Sequence, residues 1–190
     1  MKGLSKKRKT MASELYLPED CWEHVIKFLN HHSLESLSVV SKNLLFITNR
    51  CRSSIKICDP TIPFLRGFFH RFTNLTSLDL TCFHGDLDTF LRQISFSTVH
   101  LKSLNVSYHT IPKDGFQSLA AKMKTVTSLI CSNMLSVGKT DLTNIAECFP
   151  FLEELDISYP KIIESNTNIL PLALPKLRNV NLSGNYNFFK

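Results

Sequence analysis

Leu75-Thr76-Ser77-Leu78-Asp79-Leu80 puts leucine at the first, fourth and sixth positions, and the chain repeats that spacing four more times. The later copies are Leu101, Leu104, Val106; Val126, Leu129, Cys131; Leu152, Leu155, Ile157; and Leu177, Val180, Leu182. The first members fall at 75, 101, 126, 152 and 177, intervals of 26, 25, 26 and 25 residues, and the other members keep the same intervals. Self-similarity at such a period predicts stacked repeats with one short strand each. The apolar members point inward and pack against those of the neighbouring repeats.

Strand alternation then sets what the opposite face carries. It holds Ser77, Asp79, Thr81; Ser103, Asn105, Ser107; Ser128, Ile130, Ser132; Glu154, Asp156, Ser158; and Asn179, Asn181, Ser183. This face is small, polar and slightly acidic, with Ile130 the apolar exception. Asp79, Asn105, Ile130, Glu154, Asp156 and Asn181 are the candidates for contact with a polar or basic partner. The competing reading makes Asp/Asn-x-Ser a solvated repeat consensus. Return helices are expected over 86–91, 113–121 and 141–148, with Thr140 or Asp141 capping the last and Pro150 stopping it.

Upstream the rhythm changes. Leu17-Pro18-Glu19-Asp20 opens a helix, with Pro18 suited to a first turn and two acids at the positive end of the helix dipole. Cys21, Val25 and Leu29 share one face. Asn30-His31-His32 breaks the pattern, and Ser33 can cap a second helix striped by Leu34, Leu37, Val40 and Leu44. Helix is expected to about Arg50. So short a stretch cannot cover all its apolar groups. They meet either the first repeat, as a cap, or another protein. Between this stretch and the clear repeats, Ser53-Ser54-Ile55-Lys56-Ile57 alternates as a strand, a possible degenerate first repeat. Residues 59–63 form a turn, and Phe64, Leu65, Phe68 and Phe69 make a helical stripe.

The net charge of +6 is localised: Lys2, Lys6, Lys7, Arg8 and Lys9 leave 17 basic against 16 acidic residues from position 11 onward. Nucleic acid is therefore not an expected partner. Residues 1–13 read as a disordered basic tail. Lys6-Lys7-Arg8-Lys9 has the form of a nuclear-import signal, and equally of a solvated charge run. Met11 offers a second start that would remove it. No apolar stretch of secretory type follows the tail, and none is long enough to span a bilayer. With Cys131 at a leucine position and no Cys-x-x-Cys pair, the six cysteines read as thiols of a reducing, intracellular setting, nucleus or cytoplasm. The seven histidines show no ligand spacing, and no nucleophile elbow or phosphate loop is present. No metal, cofactor or catalytic residue is expected.

The series Leu17-Pro18-Glu19-Asp20 … Val25-Ile26 … Leu29 … Leu34 … Leu37 … Val40-Ser41-Lys42 … Leu44 resembles an F-box. Ser33, Cys21 and Leu44 depart from it, standing where Asp, a larger aliphatic residue and Trp are usual. The resemblance implies binding to a Skp-type adaptor, and through it to cullin and RING subunits of a ubiquitin ligase. It implies that Leu17, Pro18, Val25, Ile26, Leu29, Leu34, Leu37, Val40 and Ser41 form or support the adaptor surface. The repeats, with Cys148-Phe149-Pro150-Phe151-Leu152, look like the cysteine-containing type of leucine-rich repeat. The pairing is most similar to plant F-box/leucine-rich-repeat proteins. The implied fold class is α/β: a basic tail at 1–13, a three-helix F-box module at 14–50, a linker at 51–71, and a short leucine-rich-repeat solenoid at 72–190, one parallel strand plus helix or loop per repeat. The implied function is a non-catalytic receptor for an unknown substrate protein. A scaffold or decoy without ligase assembly is the alternative. The fifth repeat runs into residues 183–190 without a return helix, so either a longer protein or a folded-back tail is expected.

Overall fold

The computed structural model describes residues 17–59, 65–161 and 174–184. The chain divides into two compact units, Met1–Cys51 and Arg52–Lys190.

The described part of the first unit holds helices α1 (Glu19–Ile26), α2 (His31–Ser38) and α3 (Lys42–Cys51). Helix α3 packs against both others. Arg50 near its end reaches Glu23 at 2.9 Å and Glu19 at 3.4 Å on α1. The capping differs from expectation at two points. Pro18 stands just before α1, with φ −52° and ψ 151°, and not in its first turn. Helix α2 starts before Ser33: Asn30 is its cap, and its Oδ1 accepts from Ser33 N at 2.9 Å. Asparagine reaches back to the third amide as well as serine does, so the apparent break at residues 30–32 is a helix start. Ser41 caps α3, its Oγ accepting from Leu44 N at 3.2 Å.

The second unit is built on a six-stranded parallel sheet in chain order. The strands are β1 (Ser54–Lys56), β2 (Ser77–Asp79), β3 (Ser103–Asn105), β4 (Ser128–Ile130), β5 (Glu154–Asp156) and β6 (Asn179–Asn181). Leu78 pairs with Leu104, Leu104 with Leu129, Leu129 with Leu155, and Leu155 with Val180. Register thus follows the sequence period. The alternating stretch at 53–57 is the first strand of this sheet, with Ile55 opposite Leu78.

Backbone hydrogen bonds repeat from coil to coil. Ser53, Thr76, Lys102, Thr127 and Glu153 each present one carbonyl that accepts two successive amides of the next coil. A backbone carbonyl buried without a partner is costly, and these bonds supply one at every coil. The leucine-type positions of β2 to β5 are at most 2% exposed. In the last copy Val180 is 44% exposed and Leu177 and Leu182 are half-buried.

Helices α4 (Leu65–Phe69), α5 (Leu87–Ile94), α6 (Lys113–Lys122) and α7 (Lys139–Cys148) follow successive strands and pack side by side. Each buries an apolar stripe, such as Phe90, Leu91 and Ile94, or Phe116 and Leu119. Asp86 caps α5, accepting from the amides of Asp88 and Thr89 and, at 2.6 Å, from Thr89 Oγ1. Helix α6 follows Pro112, which offers no cap of its own. Asp88 of α5 accepts from Gly115 N at 2.6 Å instead. Glycine keeps the two helices this close: a Cβ there would lie 3.0 Å from Leu91 Cβ and 3.1 Å from Asp88 Cα, so α5 would have to give by a few tenths of an ångström. Thr140 and Asp141 do not cap α7 as predicted. Gly138 precedes it, and Asp141 sits inside the first turn, accepting from Gly138 N at 2.9 Å. Lys113 on α6 pairs with Asp141 at 3.0 Å. Residues 60–63 of the expected turn, Phe64, and residues 162–173 lie outside the described residues.

Candidate functional site

The first unit carries a small core and a large apolar surface. Its buried apolar residues are Ile26, Leu44 and Ile47. Leu17, Val25, Phe28, Val39, Val40, Leu45 and Phe46 are each at least 40% exposed, with Val39 at 84% and Phe28 at 79%. These make seven of the thirteen exposed large apolar side chains among the described residues, on a unit much the shorter of the two. Apolar groups exposed at this density are a feature the rest of the described chain does not share.

The nine residues expected to serve that surface fall into three groups. Leu17, Pro18, Val25, Val40 and Ser41 are exposed. Leu29, Leu34 and Leu37 are half-buried, with one side on the helices. Ile26 is 2% exposed and belongs to the core, so it supports the surface from beneath. Phe28, Val39 and Phe46 are exposed apolar groups that the motif spacing did not single out. All three belong to the surplus of apolar groups that so short a helical stretch cannot cover.

The sheet face of the second unit is polar, but its polar atoms are largely occupied. Asp79 Oδ1 accepts from Thr81 N at 2.9 Å. Asn105 Oδ1 accepts from Ser107 N at 3.0 Å and from its Oγ at 2.7 Å. Asp156 holds Ser158, and Asn181 holds Ser183, through the same two bonds. Each side chain thus mimics a backbone turn and ends its strand. The recurrent Asx-x-Ser/Thr is a structural device at four strand ends. The remaining carboxylate oxygens are also engaged: Asp79 with Lys56 at 3.8 Å, and Asp156 with Asn181 Nδ2 at 3.0 Å. Glu154 is exposed and meets Asn179 Nδ2 at 3.4 Å.

Ile130 breaks the device. It offers no acceptor, so Ser132 N and Oγ turn to Ser107 Oγ of the preceding coil, at 3.1 and 2.9 Å. Ser107 is 2% exposed and joins two coils through one hydroxyl. One residue further, the chain takes positive φ at Tyr108, Asn133, Tyr159 and Gly184, values of 70°, 54°, 53° and 78°. The amides of Tyr108, Asn133 and Tyr159 each donate to a serine carbonyl of the next coil. These positions recur at the repeat period, and asparagine and glycine there are the signal that reveals a left-handed turn. Tyr108 and Tyr159 occupy it with side chains 60% and 59% exposed, adding two aromatic rings to the rim.

Two of the thiols, Cys131 and Cys148, are buried. Cys131 is fully buried, and desolvation raises its thiol far above the ordinary value. Burial, with the Glu147 charge behind it, pushes the Cys148 thiol up to about 11. Among the described residues no three His, Cys, Asp or Glu side chains gather as metal ligands, and no helix is long and apolar enough to cross a membrane.

The F-box domain family model matches residues 15–56, so the exposed apolar helices lie within an F-box domain. The match runs past α3 to the end of β1. F-box domains bind Skp-type adaptors.

Proposed function

We propose that this protein is the substrate-recognition subunit of a Skp–cullin–F-box ubiquitin ligase. In this reading α1 to α3 dock the adaptor, which brings cullin and RING subunits, and leucine-rich repeats present a substrate protein. Transfer of ubiquitin belongs to the other subunits, so the chain itself needs no catalytic residue or cofactor. The protein then works inside the cell, in nucleus or cytoplasm. The observation that carries the reading is the coincidence of the F-box match with the seven exposed apolar side chains of the first unit. A helical surface that leaves such groups open gains affinity by burying them in a partner's groove.

The sheet face supports a narrower version of the substrate reading. Asp79, Asn105, Asp156 and Asn181 hold turns, so they shape the face more than they contact a ligand. Ile130, Glu154 and the rings of Tyr108 and Tyr159 are the groups left to touch one. Adaptor binding is tested by replacing Leu17 and Pro18 together with alanine. Both are exposed, so the fold should persist. Loss of the leucine side chain that the adaptor would cover is expected to weaken adaptor binding by about tenfold or more. Binding unchanged in the double variant, or absent in the parent, leaves the scaffold or decoy reading in its place.

A further inference from the structure

Three exposed apolar side chains gather along one edge of the second unit, on successive coils. Tyr108 follows β3, Leu135 follows β4 and Tyr159 follows β5. Backbone bonds tie the coils together at this edge. Tyr108 N donates to Ser132 O at 3.0 Å, and Leu135 N to His109 O at 3.2 Å. Asn133 N donates to Ser158 O at 2.8 Å, and Lys161 N to Met134 O at 2.9 Å. The three side chains are half of the six large apolar groups left exposed among the described residues of this unit. Tyr108 and Tyr159 alternate with Asn133 and Gly184 at the left-handed position, so the two rings stand two coils apart. Coils about 4.8 Å apart put them roughly 10 Å apart at the backbone. Gly184 backs the Tyr159 ring, since a Cβ there would come within 2.6 Å of Tyr159 Cδ1.

Beside this edge the sheet face is acidic. Ile130 on β4 lies between Asn105 and Asp156 in the register, and Glu154 is the other carboxylate of β5. The outward residues of β3 to β6 include these two acids and no lysine or arginine. The described ion pairs of this unit are Lys56 with Asp79 and Lys113 with Asp141, so neither acid has a cation among the described residues. Asp156 already accepts from Ser158 and Asn181. Glu154 is exposed and accepts one long bond, from Asn179 Nδ2 at 3.4 Å, which leaves it room for a pair of donors.

We infer that this edge holds an extended segment of a partner protein through an arginine. The guanidinium lies on a tyrosine ring and donates to the Glu154 carboxylate, with the Asp156 charge close by. Aliphatic neighbours in the segment cover Leu135 and Ile130. An extended chain advances roughly 3.3 Å per residue, so about three residues run from Tyr108 to Tyr159. Arginine is favoured over lysine by the pairing of ring and carboxylate. A flat, weakly hydrated cation stacks on an aromatic face and forks to a carboxylate, whereas an ammonium is a compact, strongly hydrated point charge. The inference rests on the sheet face being the substrate surface, and it names the chemistry of that substrate.

The test passes a synthetic library of short, end-blocked peptides over immobilised full chain and reads the retained fraction by mass spectrometry. The pools are randomised except for one fixed arginine, lysine, citrulline or glutamate. The arginine pool should be retained several-fold over the lysine pool, and the citrulline and glutamate pools should wash through. Tyr108→Asn with Tyr159→Asn removes both rings and leaves a residue suited to positive φ, so the melt should hold. Retention of the arginine pool should then fall roughly fivefold. Glu154→Gln, at an exposed position, should abolish the preference for arginine over citrulline. Equal retention of arginine and lysine overturns the partner class. Arginine retention that survives loss of both rings, or of the Glu154 charge, overturns the site. A parent that retains no pool overturns the recognition surface with it. Adaptor binding is measured on the same proteins, so a failure here is read apart from a failure of the ligase reading.

Discussion

Replacing Asn105 by alanine should destabilise the second unit by about 2 kcal/mol. Its Oδ1 accepts two bonds, from the amide and hydroxyl of Ser107, and Ser107 is 2% exposed. The hydroxyl can swing toward Ser132, whose Oγ lies 2.9 Å away. The amide cannot, and a buried donor left without a partner costs about 1–3 kcal/mol. Asn181 makes the same two bonds to Ser183, but Ser183 is exposed, so water can replace them. Asn181→Ala should therefore cost about 0.5 kcal/mol or less. Urea unfolding followed by far-UV circular dichroism separates the two. With a slope of about 2 kcal/mol per molar, Asn105→Ala should lower the midpoint by about 1 M and Asn181→Ala by a quarter of that. Hydrogen exchange at the Ser107 amide should accelerate in parallel. Equal midpoints for the two variants would refute the argument, because identical bonds would then count the same whether buried or wet.

Leu129→Ala, at a strand position 0% exposed, should cost about 2–5 kcal/mol in the same urea assay. Asp86→Ala should cost about 1 kcal/mol at neutral pH through loss of the α5 cap. The Thr89 side-chain and backbone bonds hold the Asp86 carboxyl below its ordinary 3.8, so its contribution is complete above that value. It is lost as pH falls through the folded-state value, and thermal melts of parent and Asp86→Ala should converge toward pH 2. Gly184→Ala should be destabilising by about 1–2 kcal/mol, since φ is 78° and a Cβ would stand 2.6 Å from Tyr159 Cδ1; a melt unchanged from the parent would contradict that geometry.

Periodicity made the sheet legible before any coordinates. Leu78, Leu104, Leu129 and Leu155 recur because each strand must bury the same position, and burial is what sequence period records. Ser53–Ile57 was readable as a strand because β1 keeps the alternation with Ile55 and Ile57 in place of leucine. Caps were less legible. Asn30 and Ser33 both cap helices well, so propensity alone could not choose between them. Asp88 caps α6 from another helix, a contact 27 residues away that no local pattern encodes. The polar face was placed correctly, with the partner-contact and repeat-consensus readings of its Asp and Asn residues both open. Asp79 and Asn105 looked available for a partner because sequence shows a side chain's type and face, and hides whether its oxygen is already engaged. Phe28 and Val39 belong to the apolar surplus of a short helical stretch, and their exposure shows which of that surplus stays open.

The central claim is that the first unit docks an adaptor that brings a cullin. Purified full chain, Skp-type adaptor, cullin and RING subunit, mixed and resolved by size-exclusion chromatography, test it directly. The account predicts one peak containing all four, and a Val40→Asp variant that remains folded but elutes apart from the adaptor. Co-elution of Val40→Asp with the complex would contradict the placement of the surface. A parent chain that never enters the peak would contradict the claim itself.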